Sequence, residues 1–88
     1  MRIEDIEGLL RVAELGHVGD AAAELGIPQP TLSRRLARVE AEFGSPLFDR
    51  AGRGVMLNSR GRAALAHLTS ATHSIDQAKL EVRRLMDP

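Results

Sequence analysis

Between Gln29 and Arg53 the chain carries a set of side chains suited to reading a polyanion: Gln29, Pro30, Thr31, Ser33, Arg34, Arg35, Arg38, Arg50 and Arg53. A guanidinium donates in a planar fork that matches a phosphate or the edge of guanine. A glutamine amide both donates and accepts, as the adenine edge requires, while a proline ring or threonine methyl can touch the thymine methyl. Gln29, Pro30, Thr31 and Arg34 are therefore the candidates for base edges. Ser33, Arg35 and Arg38 are candidates for the phosphate backbone, which positions without specifying. Arg53 should reach backbone or minor groove. Arg50 has two assignments, a backbone contact or a structural pair with a carboxylate. Catalysis finds no comparable set. His17, His67 and His73 lack metal-ligand spacing, no nucleophile, base and orienter fall together, and no glycine-rich phosphate loop follows a strand. With no cysteine, disulfides and thiolate metal sites are excluded. The chain is read as a non-enzyme, without a cofactor of its own.

These side chains need a scaffold, and the sequence supplies one. Leu32, Leu36, Val39 and Phe43 recur at steps of four, three and four, one narrow apolar stripe on a helix from about Pro28 to Phe43. Pro30, Thr31, Arg34 and Arg38 fall opposite, with Arg35 on the flank. The layout suits a helix docked in a DNA major groove. Taken alone, it suits a surface helix with solvated arginines equally well.

The neighbouring stretches discriminate between the two. Residues 3–15 predict a helix whose Ile3, Ile6, Leu9, Leu10 and Ala13 make a core-facing stripe, with Glu4, Asp5 and Glu7 at the end of the dipole that favours them, closed by Leu15-Gly16. A short helix over about Val18–Leu25 follows. It has a small face at Ala21, Ala22 and Ala23, a poorly signalled start for which Asp20 is the available cap, and a Leu25-Gly26 ending. Two helices joined by a tight glycine turn, the second basic on its outer face, make a helix-turn-helix over about residues 18–42. Leu47–Arg50 and Val55–Leu57 are β-prone, and Ala51-Gly52-Arg53-Gly54 reads as the turn between them, giving a wing over about residues 46–57. A lone hairpin is marginal, so Phe48 and Val55 or Leu57 must pack on the helices.

Asn58 should cap a last long helix from about Ser59 to Met86. Arg60 and Arg62 in its first turn oppose the dipole, either as tolerated surface charges or as the mark of a visiting anion. Ala64, Leu68, Ala71, Ile75, Ala78, Val82 and Leu85 alternate at steps of four and three, the pattern of a coiled-coil seam. A helix of this length, roughly 40 Å at 1.5 Å per residue, exceeds what so small a body can cover, so the seam is assigned to a homodimer.

The net charge of zero over 88 residues conceals a dipole. Residues 1–27 hold two cations against six anions, residues 28–62 seven arginines against three anions, and residues 63–88 three of each. The basic third points to a polyanionic partner. No apolar run approaches the ~18 residues of a membrane span, and no signal-peptide pattern opens the chain.

The order and spacing of Leu25, Gln29-Pro30, Leu32-Ser33-Arg34, Leu47-Phe48, Arg50, Gly52-Arg53 and Gly61 resemble the N-terminal DNA-binding region of LysR-type transcriptional regulators. The resemblance extends over residues 1 to about 86. It implies a mainly α fold: a winged helix-turn-helix of three helices and a two-stranded β wing over residues 1–58, then a linker and dimerisation helix over 59–88, in that family usually paired antiparallel. It also implies a bacterial, cytoplasmic, nucleoid-associated regulator of transcription that binds double-stranded DNA as a homodimer on an inverted-repeat operator. The full-length protein would be tetrameric in many members, with a small-molecule inducer bound by a larger C-terminal domain that this chain stops short of. Recognition helices of the dimer should enter successive major grooves about 34 Å or a multiple apart. The chain departs from the family pattern at His17, Gly19 and Pro28, where members often carry hydroxyl residues, and at Asp20. The rival class is a helix-turn-helix that binds protein and dimerises without reading DNA. Salt dependence of binding separates the two.

Overall fold

The computed structural model describes residues 1–86. Four helices and one hairpin follow in the order α1 (Ile3–Leu15), α2 (Val18–Leu25), α3 (Gln29–Phe43), β1 (Phe48–Ala51), β2 (Gly54–Leu57) and α4 (Ser59–Met86). This is the mainly α winged helix-turn-helix with a long last helix that the sequence predicts.

The stops are set by chemistry that the sequence displays. Gly26, between α2 and α3, takes φ +69°, a left-handed conformation that a residue with a Cβ adopts at a cost. Its N–H and that of Ile27 close the last turn of α2 on Ala23 and Ala22. Pro28 then caps α3 and Pro30 lies within its first turn, where the missing N–H has no helical partner to lose.

The core is Leu9 and Val12 of α1, Ala21 and Ala22 of α2, Leu32, Leu36 and Val39 of α3, Leu47, and Leu68 of α4. The stripe on α1 is rotated from the one expected. Asp5, Gly8, Leu9 and Val12 are its buried residues, while Ile3, Ile6, Leu10 and Ala13 lie on the half-buried margin. The stripe of α3 holds for Leu32, Leu36 and Val39 and fails at Phe43, which is 46% exposed. Phe43 is the last residue of α3 and lines an open groove with Arg60, Ala63, Ala64, His67 and Leu68 at the start of α4.

The wing pairs Phe48 with Leu57, Asp49 with Met56, Arg50 with Val55 and Ala51 with Gly54, leaving Gly52-Arg53 as a two-residue turn. It is fastened rather than free. Phe48 and Val55 pack on the core, and Val55 N–H donates to the Gly16 carbonyl at 2.9 Å. Glu40 of α3 accepts from Leu47 N–H at 2.6 Å. Asn58 caps α4 as expected: its Oδ1 accepts from Gly61 N–H at 2.9 Å, and its Nδ2 donates to the Pro46 carbonyl at 3.0 Å.

Only the first turns of α4 belong to this body. Gly61 and Leu68 are buried and Ala64 is half-buried against the core. Leu68, and in part Ala64, are therefore covered by the protein's own core, as the first turns of so long a helix have to be. A four-three repeat looks the same whichever surface covers it. Farther along, Ala71, Ala78, Val82 and Leu85 are exposed and Ile75 is half-buried.

Candidate nucleic-acid interface

The first two turns of α3 present Gln29, Pro30, Ser33 and Arg34 to solvent, with Thr31 and Arg35 half-buried beside them. The geometry follows from the helical period. Once Leu32 and Leu36 are sunk into the core, residues 30 and 34 have to point away from it, with Ser33 on the flank, whereas Gln29 shares the side of Leu36 and is exposed at the first position of the helix. Arg34 Nη2 lies 3.4 Å from Thr31 Oγ1, so the hydroxyl steadies a guanidinium that is otherwise uncommitted.

A second group of side chains meets across an open cleft between the helices and the wing. His17 and Val18 of the α2 start, Gln29 of α3, and Arg50, Arg53, Gly54 and Val55 of the wing line about 280 Å³. The cleft therefore brings Gln29 to the same place as both wing arginines. Arg50 and Arg53 are exposed. Neither makes an ion pair among the described residues, so the carboxylate partner considered for Arg50 is absent there.

His17 is the residue of this cleft that sequence reasoning missed. It caps α2, where no hydroxyl is available: its Nδ1 accepts from Asp20 N–H at 3.3 Å. The signal was a polar residue three before Asp20, overlooked because histidine is not among the common capping residues.

Arg38 departs from its expected role. Its Nε donates to Asp5 Oδ2 at 3.1 Å and its Nη2 to Asp5 Oδ1 at 2.9 Å. The guanidinium is thus committed to α1 rather than extended toward a phosphate. Asp5 is fully buried and also accepts from Arg2 N–H at 2.8 Å. The hydrogen bond from Arg38 holds the Asp5 carboxyl below the usual carboxylate range, against burial, which pushes it up. On α1, Arg11 is tied in the same manner to Glu14 and Glu24, so it too is withdrawn from any ligand. Arg62 turns back to the Leu57 carbonyl at 2.9 Å, which accounts for one of the two arginines at the start of α4 without an anion.

Arg34, Arg35, Arg50 and Arg53, with Arg60 at the start of α4, are thus the arginines of the basic third whose guanidinium makes neither an ion pair nor a bond to a backbone carbonyl among the described residues. Among the described residues no three of His, Cys, Asp or Glu approach closely enough to hold a metal, and no helix is long and apolar enough to cross a membrane.

The chain matches the family model of the bacterial regulatory helix-turn-helix protein, lysR family, over residues 3–62. It is 39% identical over 88 residues to the HTH-type transcriptional regulator YybE of Bacillus subtilis, covering all of this chain and 30% of that one. It is 48% identical over 67 residues to the HTH-type transcriptional regulator ShiR of Corynebacterium glutamicum, covering 76% of this chain and 23% of the relative. The chain thus spans less than a third of the length of these relatives. Among solved structures it is similar to the BenM DNA-binding domain in complex with catB site 1 DNA, with a TM-score of 0.92 at 26% identity over 100% of this chain and 98% of that one. A complex of the CbnR DNA-binding domain with DNA gives 0.89 at 26% identity, over 99% of this chain and 100% of that one. The chain belongs to the lysR family of bacterial regulatory helix-turn-helix proteins.

Proposed function

We propose that this chain is the DNA-reading unit of a transcription regulator, active as a homodimer on an inverted-repeat site in the cytoplasm. One observation carries this. Gln29 and Arg34 stand exposed on the first two turns of α3 while Leu32, Leu36 and Val39 lock the same helix into the core, and two wing arginines flank the cleft at its start. That similar domains are solved in complex with DNA supports DNA as the ligand. Gln29, Pro30, Thr31 and Arg34 read base edges. Ser33, Arg35, Arg50 and Arg53 hold the backbone.

The homodimer rests on α4. Beyond Leu68 the helix leaves its own domain, and Ile75, Ala78, Lys79, Val82, Arg83 and Met86 line an apolar groove along it. Val82 and Leu85 are 58% and 88% exposed, more than a lone soluble helix of this length would leave uncovered. A second copy, paired through Ala71, Ile75, Ala78, Val82 and Leu85, covers them.

The test is Arg34→Ala. Sites selected from random DNA by the unsubstituted chain should lose preference at one base pair, by about 1–3 kcal/mol for a bidentate contact. Equal weakening on all sequences would transfer Arg34 to the backbone class.

A further inference from the structure

Arg38 lies one turn after Arg34 on the exposed flank of α3, where a free guanidinium would be a phosphate ligand. It is instead held by two bonds to Asp5, at 3.1 and 2.9 Å, across a sequence separation of 33 residues. Asp5 is the single charged residue of the buried set among the described residues, and a third bond, from Arg2 N–H, completes its shell. No buried side-chain polar atom is left without a partner among the described residues. The acid is fully enclosed, whereas the Arg38 side chain is half-exposed.

We propose that Asp5 positions the reading helix: it withholds Arg38 from the DNA backbone and uses it to fix the rotation of α3, and so the aim of Arg34. The proposal rests on the DNA-reading function. Leu32, Leu36 and Val39 set which side of α3 is buried, but apolar contacts are non-directional and leave the fine rotation of the helix to a directional bond. A two-bond guanidinium–carboxylate pair is directional. Positions 34 and 38 differ by about 40° around the helix axis, so a rotation that slackens one carries the other. Bidentate contact with a base edge tolerates displacements of only about 0.5 Å. The acidic and basic thirds of the chain are thereby joined at one point, and one arginine is removed from the sequence-independent part of binding.

The decisive variant is Arg38→Lys, which keeps a positive charge beside Asp5 and loses the fork. The probe is the duplex that the unsubstituted 88-residue chain selects from random DNA, with versions changed at the base pair assigned to Arg34. If Asp5 positions the helix, the preference for the unchanged duplex falls about tenfold, while the slope of log affinity against log salt stays constant. Asp5→Asn produces the same loss, and the double variant adds less than the sum, as residues acting through one contact do. A phosphate-bound Arg38 predicts the opposite. Lysine then serves as well as arginine, preference is retained, and Arg38→Ala flattens the slope by about 0.9; that outcome overturns the proposal. Circular dichroism confirms that each variant is folded, and Arg38→Lys, which leaves no buried charge alone, decides the matter should Asp5→Asn unfold. A chain that selects no duplex at all refutes the DNA-reading function, and this proposal with it.

Discussion

The two ends of the Asp5–Arg38 pair should be unequally expensive to remove. Arg38→Ala takes from a carboxylate that is fully buried in the native chain two of its three hydrogen bonds and leaves the Arg2 N–H. Stranding one member of a buried pair in this way costs about 3–5 kcal/mol. Asp5→Ala strands a guanidinium whose side chain is already 50% exposed and can turn to water. It also relieves the chain of burying a charge, which offsets part of the lost hydrogen bonds, so about 2 kcal/mol is expected. The asymmetry has a pH signature. In the native chain the hydrogen bond from Arg38 keeps the Asp5 carboxyl below its unfolded value despite burial. Its contribution is therefore fully present above the unfolded pKa of about 3.9 and is lost as pH falls through the lower folded value. In Arg38→Ala the largest opposition to burial is gone, with only the Arg2 N–H and the N-terminal charge left to lower the carboxyl, so the variant binds a proton more readily when folded than the native chain does. Its deficit against the native chain should shrink between pH 7 and pH 4. Urea denaturation followed by circular dichroism at the two pH values measures this. A deficit for Arg38→Ala no larger than that for Asp5→Ala at pH 7, or one unchanged at pH 4, would refute the reasoning.

Two further substitutions probe the wing and the dimer. A Cβ at Gly54 would collide with the Gly16 carbonyl oxygen, which also accepts the Val55 N–H, so neither backbone can retreat without breaking that bond. Gly54→Ala should cost about 2 kcal/mol and speed amide exchange at Val55; unchanged exchange would mean the wing is fastened elsewhere. Ala71→Glu places a charge on the exposed part of α4. Analytical ultracentrifugation should then show a monomer, and DNA binding should weaken although the reading face is untouched. A variant that keeps both its mass and its affinity would move the dimer interface off this face.

The helix bounds were legible because each of the first three helices ends in glycine and the last begins at an asparagine cap. The reading face was legible for a related reason: a stripe of Leu32, Leu36 and Val39 dictates what lies opposite. Asp5 was not. A carboxylate in a first turn satisfies the helix dipole, and that local explanation hid the line Asp5, Leu9, Val12, which is the buried face of α1. Its partner lies in another helix, and sequence spacing carries no information about such a pairing. Phe43 fits the helical period and yet lies in the open, because period says where a residue points and not whether anything stands there. Ala64 and Leu68 show the converse, a seam-like repeat whose beginning is filled by the domain itself.

The central claim, that the uncommitted arginines around α3 and the wing meet DNA, is tested most directly by the salt dependence of binding to duplex DNA. With Arg35, Arg50 and Arg53 on phosphates, log affinity against log salt should fall with a slope of about −2.7 per protomer, about −5.4 for a homodimer. A flat response, or binding that persists undiminished at high salt, would contradict it and favour a protein partner for the same face.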